Sequence, residues 1–297
     1  MDKKFIICTD SGCDLNLQVL TENDICAMPL EYEMGGKVYV DTMLDEDTRA
    51  LYDAMRNGAV PKTSQANFEK FIDFWTPIIE KYHLPIVHLS LGSGVSGTYQ
   101  NGCIAAQEIK EKFPDAEIHM VDSTLCSVGY GMLALHASEM MREGKSAEEC
   151  VEWLENNKAR MNTWYTTDEL KYLYRSGRVS KVGAVMADAL NICPILNLDL
   201  EGHLITQEKV RGLKKTIRRI HEIVGELVEN PEDEVAYVCH SDIEEKAREF
   251  GEEIKEKFGF KEMRYTLIGP TIGANCGPGL MAVFFYGKPR TMKGYKG

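Results

Sequence analysis

No stretch of the 297 residues approaches the run of about 18 apolar side chains that a membrane-spanning helix requires, so the sequence predicts no integral membrane segment. There is no CxxC pair among the nine cysteines, and their setting in apolar stretches such as FIICTD and YVCHSD predicts reduced, buried thiols rather than disulfides or a zinc site. Basic charge is also scarce. Lys and Arg total 34 against 46 Asp and Glu, a formal net charge of -12, which argues against nucleic-acid binding apart from one short basic run, KVRGLKKTIRR. The opening MDKKFIICTDSGCDL has no apolar run of signal-peptide length, and with reduced thiols this predicts a cytoplasmic protein. No GxxxxGK[ST] loop offers a phosphate cradle and no GxSxG elbow offers a hydrolase nucleophile. The adjacent His240, Ser241 and Asp242 do not make a triad, because neighbours in sequence do not converge as nucleophile, base and orienter.

What is present is alternation. Apolar strands such as KKFIICTD, PIVHLSL and AEIHMVD are separated by helical periodicities, as in NFEKFIDFWTPIIEKY, where Phe68, Phe71, Ile72 and Trp75 fall on one face. This order predicts a mostly parallel sheet with helices on both faces, and the polar strand tips at Asp10 and Asp122 point to one ligand-binding rim. From about residue 160 the order changes to a hairpin turning at Glu201-Gly202, two long helices and further strands. We therefore expect two α/β domains, residues 1–160 with the parallel sheet and 161–297 with an α+β mixed sheet, and a ligand between them. Asp10, Asp14 and Asp122 read as capping and strand-end acceptors, with no His or Cys spacing to suggest a metal.

One turn carries two readings. HLSLGSGVSGTYQ places Gly92-x-Gly94-x-x-Gly97 between a strand and a helix, with Asp122 ending the next strand, as in a dinucleotide-binding unit. Yet Ser90, Ser93, Ser96 and Thr98 crowd the same turn with short hydroxyl donors at a positive helix end, which suits a small anion such as a carboxylate. The alternative of a nucleotide-dependent enzyme stands beside that of an anion site.

Seven segments in order, TDSGCDL (9–15), KTSQ (62–65), GSGVSGTYQ (92–100), VDSTLCSVGYG (121–131), YLYRSGRVS (172–180), CPIL (193–196) and IGANCGPG (272–279), resemble the DegV family across nearly the whole chain. The resemblance implies a bacterial carrier with no catalytic machinery and no cofactor. It would bind a long-chain fatty acid between its domains, carboxylate on the first and tail in the second, and present the acid to a separate fatty acid kinase that makes the acyl phosphate.

By similarity, Thr63 and Ser96 hold the carboxylate with the Gly97 amide as a third donor, and Ser93 lies in the same hydroxyl-rich turn. Arg178 is the expected positive charge, directly or through Thr63, with Arg175 as the rival position; Arg keeps its charge and forks two donors. Asn275 stands where the family commonly has histidine, and can donate but cannot titrate. Ala66 and Gly92 also depart from the usual proline and serine. The tail is expected along Leu173, Val185, Met186, Ala189, Leu190 and Ile195, and Arg211 is expected at a docking face for the kinase. Each buried methylene contributes about 0.8 kcal/mol, so a tail of about fourteen is worth on the order of 11 kcal/mol gross, and the carboxylate needs donors to avoid losing much of it.

Overall fold

The computed structural model describes residues 3–167, 169–178 and 191–291. The chain opens with β1 (Ile6–Asp10), α1 (Leu17–Glu22) and β2 (Ile25–Met28), then a hairpin of β3 (Glu31–Met34) and β4 (Lys37–Val40). It continues with α2 (Asp45–Arg56), the short β5 (Lys62–Thr63), α3 (Phe68–Tyr82), β6 (Ile86–Ser90), α4 (Thr98–Lys112), β7 (Ile118–Asp122), α5 (Val128–Arg142) and α6 (Ala147–Asn157). Beyond lie β8 (Met161–Thr166), α7 (Leu170–Ser176), β9 (Ile192–Leu198), β10 (Leu204–Arg211), α8 (Leu213–Leu227), β11 (Val235–His240), α9 (Glu244–Phe258), β12 (Glu262–Leu267), α10 (Pro270–Cys276) and β13 (Met281–Tyr286).

Three sheets organise these elements. The first is parallel, in the order β2-β1-β6-β7, and the second is the small antiparallel set β4-β3-β5. The third is mixed, in the order β10-β9-β8-β13-β11-β12, antiparallel except where β11 meets β12. Both β1 and β6 are buried at every position, as central strands covered on two faces must be. Chain order reverses between β1 and β6, so the crevice beyond their carboxyl ends is the natural ligand position in such a sheet.

Local chemistry explains the elements that frame this crevice. Asn67 caps α3 by accepting from the Lys70 amide, and the helix buries Phe71, Trp75 and Ile79 against the sheet while Phe68 stays exposed. Apolar on nearly every side, α5 is buried from Val128 to Ala134 because it lies between the parallel sheet and the mixed one. The mixed sheet buries its other face under α8 and α9, with Trp164, Ile195, Ile223 and Phe250 in that core.

Carboxylates tie the strand tips together. Asp10 accepts from the Gly12 and Leu91 amides, both at 3.1 Å, and from the Tyr130 hydroxyl at 2.7 Å. Asp122 accepts from the amides of Ser93 and Thr124, both at 3.0 Å. Asp14 reaches across to the C-terminal half, accepting from the Gly269 amide at 2.9 Å, and also accepts from Ser127 of its own half at 2.5 Å. Arg290, buried at the same seam, donates to the carbonyls of Thr124 and Asp199 at 3.1 and 2.7 Å.

Asp41 is a further buried acid. It is 2% exposed and accepts from the Met43 amide at 3.0 Å, with the Ser11 hydroxyl beside it as a second donor. Burial lifts its pKa from 3.8 to about 6. A carboxylate whose folded pKa is raised gives stability that is full below about pH 4 and lost as pH rises through 6, about 3 kcal/mol for a shift of this size. Asp41→Asn cannot ionise. Its stability relative to the native protein, followed by urea unfolding, is expected to climb by about that amount between pH 4 and pH 7; a pH-independent difference would show that the folded protein does not raise the Asp41 pKa.

Candidate functional site

At the crevice predicted by the strand order, an apolar cavity of about 870 Å³, counted out to its open mouth, runs between the two halves of the chain. Leu30, Leu91, Val95 and Cys126 form one wall, and Tyr165, Leu204, Cys239, Leu280, Ala282 and Phe284 the other. The walls are thus drawn from both halves rather than from residues beyond 160 alone, because the parallel sheet's carboxyl end abuts the face of the mixed sheet.

Polar side chains gather at one end, where Thr63, Ser64, Gln65, Ser96, Thr98, Ser176, Arg178 and Asn275 line the opening. Thr63 is held by the pairing of β5 with Tyr32 of β3. Gly177 ends α7 in the left-handed conformation that favours glycine, at φ 71°, and so turns Arg178 out of the helix toward α10. The Arg178 guanidinium donates to Asn275 Oδ1 at 2.8 Å and to the Ser176 carbonyl at 2.9 Å. Asn275 Nδ2 then donates to Thr63 Oγ1 at 3.1 Å and to the Thr271 carbonyl at 2.9 Å. Since the Thr63 hydroxyl accepts from this amide, its own proton is left to donate into the cavity. Asn275 therefore relays the arginine's polarity to Thr63, a role that needs one donor and one acceptor and no titration.

Ser96 works with Thr98. Their hydroxyls lie 2.9 Å apart, Ser96 Oγ accepts from the Thr98 amide at 3.3 Å, and Thr98 Oγ1 accepts from the Ala66 amide at 3.3 Å. With both oxygens supplied by backbone donors, a proton remains for a ligand anion. Gly97 begins α4, and its amide donates to no described residue. Gln65 lies across it, since a Cβ built on Gly97 would stand 2.1 Å from Gln65 Oε1.

Not every expected residue is brought here. Ser93 does not line the cavity: its amide and its hydroxyl, at 3.0 and 2.5 Å, are both spent on Asp122. Arg175 packs over the Tyr172 ring, 5.1 Å from its centroid, and leaves the opening to Arg178. Ile195 faces the α8 and α9 side of its strand, so of the expected tail contacts Leu173 lines the cavity and Ile195 does not. Val185, Met186, Ala189 and Leu190 lie outside the described residues. Arg211 is exposed at the end of β10. Thr98, one of the hydroxyls expected in the turn, does line the opening, and Gln65 is an addition that stands inside the KTSQ segment.

The glycines of the turn have a structural employment. A Cβ on Gly92 would meet the Leu125 backbone at 2.7 Å, and one on Gly94 the Gly202 backbone at 2.4 Å. The hairpin turn between β9 and β10 fills the space in which a pyrophosphate would approach Gly94, and Asp122 is occupied by the turn rather than open to a ribose. Likewise Ser241 bonds to the Leu280 backbone and Asp242 pairs with Arg49 at 3.1 Å and with Arg56, so the 240–242 segment assembles no triad.

The model of the DegV family, described as uncharacterised protein, matches residues 4–288. The chain belongs to the DegV family. Among curated relatives, a DegV domain-containing protein of Clostridium perfringens is 35% identical over 286 residues, covering 96% of this chain and 98% of the relative. Among solved structures, a DegV lipid-binding protein of Thermotoga maritima is 26% identical, covers 97% of this chain and 100% of its own, and superposes with a TM-score of 0.85. A fatty-acid-binding DegV family protein of Thermus thermophilus, also 26% identical, covers 96% and 100% with the same TM-score, 0.85. The two-part DegV architecture, a parallel sheet joined to a mixed one, is the fold described above. Among the described residues, no helix of this DegV chain is long and apolar enough to cross a membrane.

Proposed function

We propose that this chain is a carrier that holds a long-chain fatty acid along the seam near residue 160 and offers the carboxylate, at the open end, to a separate fatty acid kinase in the cytoplasm. The observation that carries this reading is the pairing of an apolar cavity with hydroxyls at Thr63 and Ser96 that each accept a bond from a protein amide, leaving the Thr63 proton and one proton of the Ser96–Thr98 pair to point inward. The solved relatives support it through the lipid and the fatty acid that they are described as binding. On this reading the protein shields the tail, and the kinase supplies the nucleotide, moving its terminal phosphoryl group onto a carboxylate oxygen. Arg211, exposed and positive on an acidic protein, suits steering toward an acidic face of that partner.

The test is an organic extract of the purified protein. Mass spectrometry is expected to show long-chain acids in roughly equimolar amount, because a cavity this apolar exchanges its ligand slowly. Nucleotide absorbance in place of a lipid would return the glycine turn to the nucleotide-enzyme reading, and a delipidated protein that fails to rebind any long-chain acid would refute the carrier.

A further inference from the structure

Behind the head-group end, the cavity is apolar but for a few heteroatoms, and most of these are engaged. Ser127 donates to Asp14 at 2.5 Å. Cys239 Sγ lies 3.6 Å from Ser127 Oγ, and Cys276 Sγ lies 3.8 and 3.6 Å from the carbonyls of Gly273 and Gly277. The Cys126 thiol, a weak donor, and the Tyr165 hydroxyl are the exceptions, and Tyr165 is the strong donor of the two: its side chain lines the cavity, the residue is 6% exposed, and its hydroxyl has no hydrogen-bond partner among the described residues.

The strand fixes where that hydroxyl goes. On β8, Trp164 enters the core under α8 and α9, so Tyr165, one residue on, faces the opposite way, toward the cavity. It stands between Ala282 on β13 and Leu196 on β9, and the small Ala282 leaves the ring room beside it. Burial holds the phenol well above its usual pKa, so it is a neutral donor at any physiological pH. A buried hydroxyl that the fold leaves unanswered is a standing cost, whereas phenylalanine would fill the same volume without it.

From this placement we infer that the preferred ligand is an oxygenated long-chain acid, one bearing a hydroxyl or keto oxygen along its chain that accepts a hydrogen bond from Tyr165. The inference rests on the fatty-acid reading and narrows it. Two polar anchors would then hold one ligand, the carboxylate at Thr63 and Ser96 and the chain oxygen at Tyr165, with apolar walls between. A site with a buried donor discriminates between a ligand that answers it and one that does not more sharply than an apolar pocket discriminates by size.

The experiment compares delipidated native protein with Tyr165→Phe, measuring the affinities of stearic acid and a series of monohydroxylated stearic acids with the hydroxyl at successive positions. The native protein is expected to bind one positional isomer roughly tenfold tighter than stearic acid. Tyr165→Phe should erase that preference, and its urea unfolding midpoint, expected at or above the native one because the unanswered hydroxyl is gone, shows that the variant is folded. If stearic acid binds but no isomer binds better, the inference fails and the carrier reading stands. A preference that persists in Tyr165→Phe also overturns it, since the oxygen is then read elsewhere. Should neither kind of acid bind the native protein, the carrier reading itself falls and takes the inference with it.

Discussion

Replacing Thr63 and Ser96 together by alanine is expected to empty the purified protein of its bound acid and to weaken rebinding by a factor on the order of 10²–10⁴. A hydrogen bond to a charged group contributes about 1.5–3 kcal/mol, and two are removed, with tenfold in affinity for each 1.4 kcal/mol. The tail's burial is untouched, so the loss falls on the head group alone. Some stability goes with Ser96, whose oxygen accepts from the Thr98 amide in the turn that leads into α4; losing such a hydrogen bond costs about 1 kcal/mol. Ser93→Ala is the matched control from the same turn. Its hydroxyl is held by Asp122 outside the cavity, so its occupancy should stay native. Unchanged occupancy in the Thr63, Ser96 double variant, or equal loss in Ser93→Ala, would refute the head-group assignment.

That contrast between two serines three positions apart shows where the sequence stops being legible. The alternation of strands and helices, the change of order near residue 160, the hairpin at Glu201-Gly202 and the rim of strand tips all follow from periodicity and turn chemistry, which are local. Which serine faces the cavity does not, because it is decided by Asp122 at the end of a different strand. Ile195 was misplaced for a related reason: strand side chains alternate, and a buried strand that is apolar on both faces gives no sign of which parity meets the ligand. The link from Arg178 through Asn275 to Thr63 joins residues 97 and 212 positions apart, and no spacing encodes it. Tyr165 is equally silent in MNTWYT, where an aromatic residue reads as ordinary core.

The glycines of 92–97 separate two readings of one motif, and substitution should separate them too. Gly94→Ala is expected to destabilise the protein by about 2–4 kcal/mol, because its Cβ would stand 2.4 Å from the Gly202 backbone and 2.6 Å from the Glu201 carbonyl oxygen, and backbone cannot step aside cheaply. Gly202 itself is held at φ 80° in the hairpin turn with Thr124 backbone 3.0 Å from its own Cβ direction, so retreat is closed as well. At Gly97 the obstruction is the far end of the Gln65 side chain, which can rotate away. Gly97→Ala should therefore unfold within about 1 kcal/mol of the native protein, yet bind a long-chain acid roughly tenfold more weakly, since the displaced Gln65 amide turns into the mouth that Thr63 and Ser96 share. Urea unfolding and fatty-acid titration on the two variants decide the matter. A nucleotide-binding turn would need both glycines for its ligand, so Gly94→Ala that folds as well as the native protein would overturn the assignment of that residue to chain packing.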